Sequence, residues 1–531
     1  MFTCLVVSGI CAAQEAGTAA TAAEPATAAP EVFDVMEYRV LGVAKLDVRE
    51  VERAVYPHLG PAKTVADIEQ ARAALELAYR NAGYGTVFVD VPEQDVNEGV
   101  VRLRATEGRL DRIRITGAHH FSANDIREAV PSATRGAVPD LPALQSELAS
   151  LNGQTRDRAV VPVLKAGRTP GTVDLELKVD DHLPLHGGFD VNDRYTAETS
   201  ELRAGAQFSY DNLFQARHSL SVQFQTAPQE PDESRVFAAT YAMPLGEGGR
   251  SLAFYAVDTD SAVTAIGALS VLGAGRIYGA RFIQPIPEVG ELFSSFSLGV
   301  DYKDFSEDIQ IDPETGLSTP ISYPLWSLAY QGATKTEFSK LGFSMMVGFG
   351  TPRLGASAQE FADRRYLASP SFMYLRGSFN YEHQLPWGFT GVLRAAGQFT
   401  PQPVVPNEQF SIGGADSVRG YLESAQLGDY GYSSTFELRT PGLLSRLGEH
   451  APFLQLLAFF DAGVVRIQEP IRDLDGNATQ TTHFDLSSYG IGMRAAAAGF
   501  EASLDYATPL VPSGTTLDGD SRIHFGVRYG F

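Results

Sequence analysis

The segment Arg522-Ile523-His524-Phe525-Gly526-Val527-Arg528-Tyr529-Gly530-Phe531 alternates without a break. Ile523, Phe525, Val527, Tyr529 and Phe531 share one face of an extended chain, and Arg522, His524, Gly526, Arg528 and Gly530 share the other. Successive side chains of a strand point to opposite sides of the sheet. A soluble sheet can carry this pattern, but the aromatic Phe531 closing the strand marks it as the last span of a transmembrane barrel. Working back from it, helical periodicity is absent as far as Pro184. Sixteen alternating segments fall at 185–193, 200–210, 217–226, 235–243, 250–259, 272–283, 293–302, 325–334, 338–349, 370–382, 388–399, 430–440, 452–465, 483–495, 499–508 and 522–531. Such lengths suit tilted strands crossing about 25 Å of hydrocarbon. Connections after odd-numbered segments tend to be long (303–324, 350–369, 400–429, 466–482), and those after even-numbered ones tend to be short (335–337, 496–498). That asymmetry belongs to bacterial barrels with long outer loops, short periplasmic turns and the N-terminus inside. The fold class expected is therefore mainly β, with a 16-stranded transmembrane barrel over 183–531.

Composition agrees. Lys and Arg total 42 against 64 Asp and Glu, a formal charge of −22, which excludes nucleic acid as a partner because phosphate binding needs clustered cations. No run of about 18 apolar residues exists, so helical spans are excluded. A barrel is not, since its lumen-facing polar residues dilute the hydropathy. Cys4 and Cys11 are the two cysteines, both within the first dozen residues. Residues 1–13, with the apolar stretch Leu5 to Ile10, read as a signal peptide whose start lies upstream. Residues 14–32, rich in Ala, Thr, Glu and Pro, read as a flexible leader.

Between them and the barrel, mixed α and β patterning appears twice. A strand at 35–41, helices at 48–56 and 65–81, and strands at 86–91 and 99–105 make the first unit. In the 65–81 helix, Ile68, Ala71, Leu75 and Ala78 hold helical spacing. A strand at 109–115, helices at 123–129 and 141–151, and strands at 160–164 and 172–179 repeat the order. Each β-α-α-β-β unit, 33–107 and 108–182, has the size of a binding module rather than an enzyme core.

The long connection 400–429 contains Gly413-Gly414 and then Val418-Arg419-Gly420-Tyr421. In 452–465 the apolar face holds Leu454, Leu456, Ala458 and Phe460, which leaves Asp461 pointing into the lumen with Gly463 on the same side. A carboxylate shielded from bulk water needs a cation or hydrogen bonds, and Arg419 on a loop folded back into the pore would supply a bidentate guanidinium. Gly490 and Gly492 would leave room for that loop tip, and Arg494 would add a second inward charge. Arg-Gly alone is most often a solvated turn, and glycines in a strand often only relieve curvature. Their joint occurrence in order, on the expected faces, favours a functional reading. Gly273, Gly275 and Gly279 miss the G-x-G-x-x-G spacing, and neither a nucleotide loop nor a metal or catalytic motif is found, so no cofactor is expected.

These motifs resemble those of the two-partner secretion transporters, the TpsB family of haemolysin and filamentous-haemagglutinin exporters within the POTRA-plus-barrel superfamily. Val418-Arg419-Gly420-Tyr421 resembles that family's sixth outer loop, Phe459-Phe460-Asp461-Ala462-Gly463 its F-x-D-x-G strand, and Gly490-Ile491-Gly492-Met493-Arg494 its G-x-G-x-R strand. Gly83-Tyr84, the run Val91 to Asp95 and the run Val101 to Gly108 resemble the end of its first POTRA domain. Asn192-Asp193 and Tyr210 to Leu213 resemble the opening of its barrel. The resemblance implies an Arg419–Asp461 pair that holds the loop, and a monomer in outer-membrane lipid with two POTRA domains in the periplasm. It also implies a large exoprotein, unfolded in the periplasm, as the partner. It does not say which POTRA residues bind that partner. Family members often start with a plug helix and linker, for which the leader is too short, so closure is expected to rest on the long loop alone. A barrel assembly factor and a diffusion porin are the rival readings.

Overall fold

Strands of this length satisfy every backbone group only if the sheet meets itself, because an open edge in hydrocarbon leaves N–H and C=O groups unpaired. The sheet does so in the computed structural model of the chain, which describes residues 32–531 apart from 97, 198, 247, 262, 267–268, 307, 313–314, 445–451 and 474–475. Residues 1–31, on which the expected signal peptide, both cysteines and nearly all of the expected leader fall, lie outside the described residues. Two compact units divide between His182 and Leu183.

The second unit is a closed antiparallel barrel. Its strands are β1 (Leu185–Asn192), β2 (Arg203–Leu213), β3 (His218–Thr226), β4 (Arg235–Pro244), β5 (Ser251–Thr259), β6 (Gly275–Val289), β7 (Leu292–Phe305) and β8 (Ile321–Lys335). They continue as β9 (Ser339–Gly350), β10 (Met373–Gln384), β11 (Thr390–Phe399), β12 (Tyr430–Arg439), β13 (Phe453–Arg466), β14 (His483–Ala497), β15 (Phe500–Pro509) and β16 (Arg522–Gly530). Each overlaps one of the sixteen segments read from the sequence. Closure is made by β16 on β1, in register from Gly526 against Asn192 to Gly530 against Gly188. Phe531 adds two backbone hydrogen bonds with Gly187, at 3.0 and 3.1 Å. The alternation is real: on β13, Leu456 and Phe460 are exposed outward while Leu457, Phe459 and Asp461 are buried inward.

Three departures stand out. The second segment, read as 200–210, runs on in β2 through Asp211-Asn212 to Leu213, and the turn is made by Phe214, Gln215 and Arg217 at positive φ. The outer connections are not bare loops. Val263–Ile266 pairs with Leu269–Leu272, and Asp308–Asp312 with Thr315–Ser318. The 351–372 connection carries a helix, α1 (Ala358–Arg364), capped reciprocally by Ser357 and Glu360. The third departure is 440–452, a long connection where the parity asks for a short one.

The first unit contains the repeat. In each half a three-stranded sheet places the first strand parallel to the third: Glu37–Leu41 on Val100–Glu107, and Arg109–Thr116 on Thr172–Asp181. The antiparallel partners are Val87–Asp90 and Arg158–Ala166. The helix Val65–Asn81 buries Ile68, Ala71, Leu75 and Tyr79, so Tyr79 takes the fourth core place expected of Ala78. A further pairing, Phe33–Val35 with Gly60–Lys63, was not legible in the sequence. The halves share one device. After the first strand a glycine at positive φ, Gly42 or Gly117, sits so close to the third strand that a Cβ would strike the Ala105 or Val179 carbonyl. A carboxylate ending the third strand then ties down the following turn. Glu107 accepts from the amides of Ala44 (2.7 Å) and Lys45 (2.8 Å). Asp181 accepts from those of His119 (2.9 Å), His120 (2.8 Å) and Phe121 (3.0 Å).

Burial alone pushes the Asp181 carboxyl up, and the three amide donors more than offset it, leaving it below the ordinary carboxylate range. A group depressed on folding stabilises above its unfolded pKa, and that contribution is lost as the pH falls through the folded value. At neutral pH, Asp181→Ala is therefore expected to weaken this half by about 2 kcal/mol, the scale for hydrogen bonds to a charged acceptor. Hydrogen exchange of the 119–121 amides in the full-length protein checks this: unchanged protection at pH 7 would contradict it.

Candidate functional site

The 400–429 connection enters the barrel as a hairpin. Phe410–Ile412 pairs with Gln426–Gly428, and Gly413 and Gly414, both at φ +103°, turn the chain into a compact tip. Val418 and Tyr421 are fully buried beside Ile412, Val465 and Leu486. The Tyr421 hydroxyl lies 2.7 Å from the Val511 carbonyl and 3.0 Å from that of Ser487, so it donates to the 510–521 connection and to β14. Gly420, at φ +92°, donates its amide to His524 Nε2 at 2.9 Å. An accepting Nε2 places the imidazole proton on Nδ1, which faces the Asp193 carboxylate at 3.2 Å. Asp193 also accepts from the Phe525 amide at 2.7 Å. Asp193 and His524 thus tie the tip to the seam between β1 and β16.

Arg419 is the largest fully buried side chain among the described residues, 1% exposed. Its Nε and Nη2 donate to the two oxygens of Asp461 at 2.8 and 2.9 Å, and its own amide adds a third bond at 3.1 Å. Planar, bidentate geometry makes this among the stronger side-chain pairings. Nη1 lies 3.0 Å from Glu437 and 3.6 Å from Asp505 as an ion pair. The guanidinium stacks on the Phe459 ring, 3.4 Å from its centroid, which supplies cation–π attraction where water is excluded. Glu437 is held in addition by Arg394 and Arg439, and Asp505 by Arg494 in two bonds of 2.7 and 2.8 Å. Four arginines thus meet three acids across β11 to β15 and the loop tip. Burying so many charges is tolerable only because each is paired.

Arg419 and Asp461 therefore meet, as the inward register required. Gly463 is the glycine that receives the tip: a Cβ there would lie 3.0 Å from Val418 Cγ2. Gly490 and Gly492 do not. The space at Gly490 is filled by the Phe459 ring, and that at Gly492 by the Asp505 carboxylate; both glycines serve the floor under Arg419. Arg494 reaches Arg419 only through Asp505. Sequence reasoning missed Arg394, Glu437, Arg439 and Asp505, and named Phe459 only within the F-x-D-x-G motif, without its place under Arg419. The signal was present, since Glu437 and Arg439 alternate with the exposed Phe436 and Leu438, and Asp505 with Leu504 and Tyr506. Beside the tip lies a polar cavity of about 860 Å³ lined by Gln207, Gln223, Gln225, Asp416 and Arg494.

Known proteins share this arrangement of chain. The CdiB outer-membrane transporter of Dickeya dadantii (strain 3937) is 26% identical over 34% of this chain and 32% of its own length. The CdiB outer-membrane transporter of Escherichia coli O6:K15:H31 (strain 536) is 22% identical over 75% of this chain and 67% of its own. Among solved structures, CdiB from Escherichia coli aligns with a TM-score of 0.58 at 19% identity over 96% of this chain and 93% of that one. BamA from Haemophilus ducreyi lacking POTRA domains 1–3 aligns with a TM-score of 0.57 at 15% identity, covering 94% and 100%. At such identities the two structures share the fold alone. The ShlB-type POTRA domain profile matches residues 33–108. The profile of the haemolysin secretion/activation proteins ShlB/FhaC/HecB matches 171–495, a span that holds Arg419, Glu437 and Asp461 and stops short of Asp505, and the chain belongs to that family.

Proposed function

We propose that this chain exports a large secreted protein through the outer membrane, working as a monomer without cofactor or catalytic group. The two small modules, 33–107 and 108–182, face the periplasm and take the unfolded partner as an added strand on a free sheet edge. Glu37–Leu41 or Val87–Asp90 serves in the first, and Arg109–Thr116 or Arg158–Ala166 in the second. Main-chain pairing gives affinity with little demand on sequence. A barrel of this size admits an extended chain but no folded domain, so the partner threads the lumen and folds outside. The tip carrying Val418, Arg419, Gly420 and Tyr421 gates that path, with Asp461, Gly463, Gly490, Gly492 and Arg494 as its lumen partners. The reading is carried by Arg419, a buried guanidinium brought by a loop to acids of three strands, in a barrel of the secretion/activation family.

BamA shares the fold, which keeps an assembly-factor reading in play. Deleting this chain's gene from its host and following the outer-membrane proteins separates the two. Loss of one very large surface protein, with the other barrels assembled normally, is the expected result; general depletion of barrels would mean an assembly factor. Normal secretion with altered solute uptake would mean a porin.

A further inference from the structure

The 351–372 connection folds over the barrel end that carries the long connections and is built into an apolar core with the inner wall. Phe361 of α1, fully buried, packs against the rings of Tyr323 on β8 and Phe372 at 5.4 and 6.1 Å between centroids. The same core takes inward residues of β4 to β7, among them Val236, Val257, Ile277 and Phe305, and Val404 and Val405 at the root of the 400–429 loop. The barrel end is filled on this side by side chains rather than water.

Polar latches hold the core at its rim. Arg365, following α1, forms a two-pronged pair with Asp429, the last residue of the 400–429 loop, and donates to the carbonyls of Val404 (2.6 Å) and Gln468 (3.0 Å). The same carboxylate accepts from the amides of Val404 (3.0 Å) and Gln468 (2.7 Å). At the other root, buried Glu408 receives Lys303 Nζ at 2.5 Å and the hydroxyls of Tyr323 and Tyr374 at 2.7 and 3.0 Å. Arg364 donates to Thr319, in the neighbouring connection, at 3.0 Å. The ion pairs of Arg365 and Lys303 go to Asp429 and Glu408, acids distinct from the three around Arg419.

We propose that the 351–372 connection is a second, separately latched cap on the pore. Arg365 is its positioning residue: through the Val404 carbonyl and Asp429 it clamps both roots of the 400–429 loop, so that releasing Arg419 frees the tip while the cap still blocks the mouth. A passing chain must displace both. This rests on the barrel's being a membrane pore, and the test distinguishes the two failures. Full-length protein purified in detergent is reconstituted in planar bilayers, with folding of each variant checked by heat-modifiable mobility. Arg365→Ala and Phe361→Asp should each raise the open time at least about tenfold, since removing one member of a buried pair shifts an equilibrium by more than one power of ten. Arg419→Ala combined with Arg365→Ala should conduct more than either alone. Folded cap variants that stay as closed as the unaltered protein, while Arg419→Ala opens, would overturn the cap and leave the pore. If every folded variant fails to conduct, the pore reading fails and the cap with it.

Discussion

Arg419→Ala is expected to cut export of the partner at least about tenfold while the barrel still inserts and shows heat-modifiable mobility. The change removes the one cation that touches Asp461, Glu437 and Asp505 together. Breaking a buried pair by deleting one member costs about 3–5 kcal/mol, because the other charge stays behind unpaired. The cost falls on the tip rather than on the barrel, since Glu437 and Asp505 keep Arg394, Arg439 and Arg494. Asp461→Ala should be milder: Arg419 retains Glu437 at 3.0 Å and its seat on Phe459. Arg419→Lys should rescue little, because an ammonium cannot make the two-pronged bond or stack on the ring. In the Arg419→Ala, Asp461→Ala double variant the losses should not add, as expected of two residues in one contact. Secretion measured beside surface-exposed barrel checks all four. Unimpaired export by folded Arg419→Ala would remove the gating role.

What could be read from sequence follows from how local the physics is. The period-two alternation is a property of each strand by itself, so sixteen strands were legible, as was the face on which Asp461 lies. Strand ends are weaker: the second segment ended at 210 in the sequence reading, but β2 runs on to Leu213, because the turn is set by β2 pairing with its neighbours and falls on Phe214 and Gln215. Contacts between distant segments left no local trace. Nothing in Glu408 or Asp429 distinguishes them from solvated acids until Lys303, Tyr323 and Arg365 are brought to them by closure of the barrel. The second cap was missed for that reason, and the apolar Phe361 within a polar loop was its one visible hint. Gly490 and Gly492 were read as making space for the loop tip, but Phe459 and Asp505 lie there instead, because which side chain takes the space depends on the register of β13 and β15 against β14.

That register makes Gly490→Val the substitution with the broadest expected damage. A Cβ at Gly490 would run into the Tyr506 carbonyl of β15 and meet the Phe459 ring of β13 at 2.5 Å. The backbone carbonyl cannot rotate away, so β14 and β15 must separate, and forcing bulk into a packed site typically costs about 1–3 kcal/mol or more. The ring must also leave its place beneath Arg419, so the floor of the junction is lost with the strand pairing. Gly490→Val is therefore expected to lower the amount of folded, heat-modifiable barrel and to abolish export by what remains. Gly463→Ala gives the contrast. Its Cβ would meet side-chain atoms of Val418 and Ile412 at 3.0 and 3.2 Å, and no backbone atom is among its nearest neighbours. Barrel yield should then be preserved while the tip is displaced, leaving an inserted barrel with reduced export. If Gly490→Val barrels form in normal yield and export normally, Phe459 is not the support on which the Arg419 junction is built.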